Sequence, residues 1–206
     1  IKSYGAGKKP IIVGDGGVAA VMLRNQDWWE ISNLDVSNDA SDEGLRRGIY
    51  TLAEDAGRVL CHIVLRRLDV HNVRGKLGED VVSKLTGGIA FEVRGTNLAT
   101  RFEDILVEEC TVMHTDNTGI YTWTDFRPHP RDPRWQELRF TGVKIQNNRL
   151  EDIGKNAIGI RSSLAPIIEN NVVAYAAARY HGNAIYVFGC KDALIQSNEV
   201  YGTKYY

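Results

Sequence analysis

An internal repeat constrains this chain more than any other feature. Six short segments share one pattern: an apolar residue, two variable residues, a corner residue, one variable residue and a second apolar residue. They are Ile31, Leu34, Val36; Leu65, Leu68, Val70; Val107, Cys110, Val112; Ile145, Asn148, Leu150; Ile168, Asn171, Val173; and Ile195, Asn198, Val200. A second element follows each of the first five: Gly48-Ile49-Tyr50-Thr51-Leu52, Gly88-Ile89-Ala90-Phe91-Glu92, Gly119-Ile120-Tyr121-Thr122-Trp123, Ala157-Ile158-Gly159-Ile160-Arg161 and Ala184-Ile185-Tyr186-Val187-Phe188. Both elements alternate apolar with variable residues, the period-two sign of half-buried strands. No segment carries a convincing helical period.

In the most compact stretch one unit runs 23 residues, the spacing of Asn148 and Asn171. Units of that size cannot bury their apolar faces alone and must stack, so like residues fall into columns. The expected fold is all-β, a solenoid of about six coils forming a single domain over residues 1–206. Hairpin signals such as Asn-Gly are sparse, which disfavours an antiparallel sandwich. The three corner asparagines are expected to stack at one tight turn, where Asn tolerates left-handed backbone and its amide can bond neighbouring main chain. The chain starts at Ile1 and stops at Tyr206 in mid-pattern, without end caps, which reads as a segment of a longer helix.

Composition narrows the partners. Lys and Arg number 25 against 26 Asp and Glu, with no block of like charge, so nothing favours a phosphate backbone or nucleic acid as partner. No apolar run is long enough to span a membrane. Three widely spaced cysteines, Cys61, Cys110 and Cys190, form neither a CxxC pair nor a complete disulfide framework.

The Ile-x-x-Asn-x-Val corner followed by a Gly-Ile strand resembles the right-handed parallel β-helix of the pectate-lyase-like superfamily. The stretches Asp27-Trp28-Trp29-Glu30-Ile31-Ser32-Asn33-Leu34 and Thr86-Gly87-Gly88-Ile89 are similar to secreted bacterial members acting on polysaccharides. The resemblance implies a secreted or periplasmic protein with a polysaccharide or oligosaccharide as partner. It specifies the fold far better than the reaction.

Insertions in a solenoid leave as loops and often build its binding face. The long steps here contain Arg74 to Thr86 and Asp125 to Trp135, which flank the Gly-Ile strands on both sides. If each Ile points inward, Tyr50, Ala90, Tyr121, Gly159 and Tyr186 form one outward column. Leu52, Glu92, Trp123, Arg161 and Phe188 form the next. The expectation is an exposed aromatic floor about 20 Å long, suited to the C–H faces of sugar rings. Tyr50, Tyr121, Trp123, Tyr186 and Phe188 are thus candidate substrate-binding residues, with Asp116 and His181 at the edges.

No Gly-rich phosphate loop, G-x-S-x-G or H-E-x-x-H is present. Glycosidic hydrolysis usually uses two carboxyl groups, and Asp125 and Glu92 share the outward parity. They are the leading catalytic pair for a glycoside hydrolase, with Arg161 and His129 beside them. Two readings compete with hydrolysis. A lyase would abstract a proton beside a uronate carboxylate held by Arg161, and a non-catalytic carbohydrate-binding or adhesion module would use the same floor. No cofactor is expected; in resembling lyases calcium holds the carboxylate, and Asp39, Asp42 and Glu43 form the acidic cluster nearest the groove.

Overall fold

The computed structural model describes residues 1–3, 5–126 and 131–204. Twenty strands form three sheets in which every pairing among the described residues is parallel. The chain visits the sheets in rotation, so each sheet gains one strand per circuit.

The first sheet holds Ala19–Arg24, Arg47–Glu54, Gly87–Arg94, Thr118–Thr124, Ile158–Arg161 and Ile185–Phe188, hydrogen-bonded in that order. We call it the floor sheet. It extends one strand further than the Gly-Ile signature suggested, because Val21 takes the place of the column isoleucine opposite Ile49. Ile49, Ile89, Ile120, Ile158 and Ile185 are in register along the rest of the sheet, and the first four are fully buried. Phe91, Phe102 and Phe140 pack in sequence inside, at centroid separations of 6.2 and 6.0 Å.

The glycines at the second position of three floor strands are required by close approach. A Cβ at Gly88 would stand 2.6 Å from Val112 Cγ1 and 2.8 Å from the Gly119 carbonyl oxygen, and Gly48 and Gly119 face equivalent obstacles.

At the corner, the asparagines stack as expected. Asn148 donates from Nδ2 to Asn171 Oδ1 at 3.0 Å and to the Val107 carbonyl at 3.0 Å, while its Oδ1 accepts the Cys110 amide at 3.0 Å. Asn171 repeats this with Asn198 and Ile145. Leu34, Leu68 and Cys110 continue the column as buried side chains. The left-handed backbone, however, belongs to the preceding residue in each coil: Asn33, Arg67, Glu109, Asn147, Asn170 and Ser197, with φ between 52° and 59°. The column residue is thereby free to turn its amide inward, where it satisfies buried main chain.

Two one-turn helices, Val81–Lys84 and Trp135–Leu138, lie in the two long insertions. Asp80 caps the first, accepting the Ser83 amide at 3.1 Å and its hydroxyl at 2.7 Å. Among the described residues no helix is long and apolar enough to cross a membrane.

Candidate functional site

Both outward columns form as the alternation requires. Tyr50, Ala90, Tyr121, Gly159 and Tyr186 pair in register, as do Leu52, Glu92 and Trp123, and Arg161 with Phe188. Their exposure differs from the expected open floor. Leu85, carried by the 74–86 insertion, and Leu45 join Tyr50, Leu52, Ala90, Tyr121 and Trp123 in one apolar cluster, in which all five floor residues are buried. Burying that many apolar and aromatic side chains favours a closed cover over an aromatic floor left in water. The insertion is held by Lys155, which donates to the Gly78 carbonyl at 2.9 Å and pairs with Glu79, and by Asn117, which donates to the Lys76 carbonyl at 3.0 Å.

Glu92 is fully buried and does not face the cleft. Its Oε1 accepts from Arg47 Nη2 at 2.6 Å and from the Tyr121 hydroxyl at 2.5 Å, and its Oε2 accepts the Tyr50 hydroxyl at 2.9 Å. A buried carboxylate is tolerated when paired and hydrogen-bonded in this way. Burial, then the neighbouring Glu92, pushes the Tyr50 phenol well above its ordinary value; Tyr121 shifts the same way for the same reasons. Burial opposes the Arg47 charge, and the groups around it, chemically foremost the charged Glu92, raise its pKa nonetheless.

Asp125 follows the Trp123 strand and stays about one third exposed. Its Oδ2 accepts from Arg94 Nε and the Gly95 amide, both at 3.0 Å, and its Oδ1 accepts from Trp123 Nε1 at 3.2 Å. Arg94 also reaches Glu92 Oε2 at 3.6 Å, so one guanidinium bridges the two carboxylates that parity placed on this face.

Past the cover the floor opens. A cavity of about 250 Å3 is walled by Trp123, Arg161, Phe188, Val81 and Lys84. A second, of about 270 Å3, adjoins it through Arg161 and Lys84 and is lined by Glu79, Asn117, Lys155, His181 and Tyr186, among others. The Arg161 guanidinium lies 5.0 Å from the Trp123 ring, 5.2 Å from Tyr186 and 5.6 Å from Phe188. Gly159 permits this arrangement, since a Cβ there would stand 2.5 Å from the Tyr186 ring.

Of the residues singled out from the sequence, the structure thus gathers Trp123, Arg161, Tyr186, Phe188 and His181 around two adjoining cavities, with Asp125 one hydrogen bond away. Tyr50, Tyr121 and Glu92 lie beneath the cover. Asp116 lines neither cavity: it accepts the Gly75 amide at 3.2 Å and pairs with Arg74 and Arg179, anchoring the insertion from behind. Its neighbour Asn117 is the residue that reaches the second cavity. His129 lies outside the described residues. Asp42 pairs with Arg46 at 2.8 Å. Lys84 and Glu79 were missed; only their place in the 74–86 insertion could have marked them.

No known protein-family profile matches the chain. It is 22% identical over 244 aligned residues to a lacto-N-biosidase of Bifidobacterium longum subsp. longum, an alignment covering 88% of this chain and 15% of that protein. Two crystal structures of a GH136 lacto-N-biosidase from Eubacterium ramulus, one native and one a selenomethionine derivative, superpose with TM-scores of 0.85 and 0.86. Each is 22% identical, with 96% of this chain and 40% of that chain covered. The chain therefore spans well under half the length of these relatives, and the likeness establishes the fold.

Proposed function

We propose that this chain is a right-handed parallel β-helix segment of a glycoside hydrolase that acts on an oligosaccharide, bound in the cleft where the floor sheet emerges from under the 74–86 cover. The observation that carries the reading is Asp125, a partly exposed carboxylate hydrogen-bonded to the Trp123 ring that walls the first cavity. The GH136 lacto-N-biosidases that share the fold support it and favour an oligosaccharide over the polymer that the sequence suggested.

In this reading the exposed Phe188 presents its ring face to a sugar, the buried Trp123 backs the cavity wall, and Arg161, Lys84 and Asn117 bond the sugar's polar groups. Asp125, whose oxygens accept from Arg94, Gly95 and Trp123, serves as nucleophile or as the base that activates water. Glu92 acts as a positioning residue: through Arg94 it fixes the side on which Asp125 is held. A binding role without turnover is the second reading, favoured by Glu79 being the sole carboxylate that lines either cavity among the described residues.

The test is an oligosaccharide panel, read for reducing ends and for the absorbance of unsaturated products, with Asp125→Asn in parallel. Hydrolysis yields reducing ends alone, and the variant should lose about a hundredfold to ten-thousandfold in kcat. Unsaturated products would establish a lyase. Binding with no turnover by the unaltered protein would establish the binding role.

A further inference from the structure

The charges around the open cleft are unbalanced. Lys84, Lys155, Arg161 and His181 line the two cavities between them, and the sole lining carboxylate among the described residues is Glu79. Glu79 is already engaged by Lys155, by Lys84 at 3.3 Å and by His181 at 3.0 Å. The other acids of the face are also committed, Glu92 to Arg47 and Asp125 to Arg94.

Arg161, at the junction of the two cavities, has no carboxylate partner among the described residues. Its neighbours are the rings of Trp123, Tyr186 and Phe188. Arg161 also hydrogen-bonds the Tyr186 side chain, and a guanidinium fork with five N–H donors, held among rings, still has donors to offer to whatever enters the cavity. Planar recognition of a carboxylate or of a sulfate oxygen pair is what such a fork does best. A neutral sugar would leave that cation uncompensated while displacing its water, which is unfavourable in a partly enclosed site.

We propose that the cleft selects an oligosaccharide carrying an anionic substituent, a carboxylate or a sulfate ester, seated on Arg161 with Lys84 across the cavity. This names the substrate class of the site and rests on the hydrolase reading only for the chemical step after binding. The exposed ring of Phe188 then takes the C–H face of the adjoining sugar.

The experiment compares three ligands of one size on the full protein by calorimetry: a neutral oligosaccharide, the same oligosaccharide with one hexose oxidised at C6 to a uronate, and its C6 sulfate ester. At least one acidic form should bind about tenfold or more tightly than the neutral one, the scale of a lost charge-assisted hydrogen bond. A preference confined to the uronate assigns a carboxylate, and one confined to the ester assigns sulfate. Arg161→Gln should reduce the preference to near unity and Arg161→Lys should keep part of it, with thermal melting confirming that each is folded. If Arg161→Gln does not fold, Lys84→Gln should reduce the preference at least threefold, and an unchanged preference there overturns the proposal. Equal binding of all three ligands by the unaltered protein also overturns it. Acid-selective binding without turnover of any ligand would instead sink the hydrolase reading and leave this inference standing.

Discussion

Arg47 and Glu92 form an ion pair of 2.6 Å across two floor strands, with side chains 1% and 0% exposed. They stand 45 residues apart in the chain. Such a pair offsets its own desolvation only while both partners and their hydrogen bonds are present. Glu92→Leu should therefore cost about 3–5 kcal/mol, because it leaves a buried guanidinium facing two tyrosine hydroxyls. The double variant Arg47→Met, Glu92→Leu should recover most of that loss. Chemical denaturation of both variants checks this; a double variant no better than the single would show that the tyrosines depend on the charges themselves.

The corner ladder predicts a position-specific cost. Asn148 satisfies the Cys110 amide, the Val107 carbonyl and Asn171 at once, at 2% exposure. Asn148→Leu keeps the volume of the column, as Leu68 does two coils earlier, but orphans these groups. A loss of about 2 kcal/mol or more is expected, measured by denaturation. Leu68→Asn is the reciprocal control and should destabilise through lost apolar burial instead.

Burial sets the thiol chemistry. The Cys110 thiol is pushed up to about 12 by desolvation, and Cys61 and Cys190 are raised for the same reason while remaining partly exposed. A thiol raised in the folded state stabilises below the unfolded value near 8.5, and that contribution is lost as pH rises from there toward 12. At pH 8, iodoacetamide should modify Cys61 and Cys190 slowly and Cys110 only after unfolding, as read by mass spectrometry. Prompt labelling of Cys110 in the folded protein would show that the corner opens.

His62 sits between Asp104 at 2.9 Å and Glu30 at 3.3 Å, and these hydrogen bonds raise its pKa. Because the folded value is the higher one, the stabilisation is complete below the ordinary histidine value near 6.5 and fades as pH climbs through the raised one. In an NMR titration its imidazole should titrate above that ordinary value, and Asp104→Asn should bring it down. A curve unmoved by Asp104→Asn would assign the shift to Glu30.

Periodicity revealed the columns because a stacked chain repeats its own neighbours: the Ile49 to Ile185 register and the asparagine ladder follow from spacing alone. The alternation that starts at Ile49 does not run back through Arg47. Counting back from Ile49 places it inside, but the glycine after it points its absent Cβ at Val70 in the core, which reverses the alternation and sends Arg47 out to Glu92. The cover was hidden for another reason. The Val81–Lys84 helix is a single turn, too short to show a helical period, and Leu85 packs on residues from three different coils. The left-handed corner residue was misplaced by one position because the side-chain ladder and the backbone turn are carried by adjacent residues, such as Asn148 and Asn147.

The two rings of the cleft should separate kinetically under the proposed hydrolysis. Trp123 is 5% exposed, and its indole N–H holds Asp125, whereas Phe188 is 66% exposed and touches the site through its ring alone. Trp123→Phe keeps an aromatic wall and removes the hydrogen bond that aims the carboxylate. It should lower kcat about tenfold with KM little changed, since the lost contact orients a reacting group. Phe188→Ala should raise KM several-fold with kcat nearly intact, because a ring face binds ground state and transition state alike. Steady-state kinetics on the best substrate of the panel distinguishes them; equal effects on KM from both variants would remove Asp125 from the reaction and reduce Trp123 to a second wall.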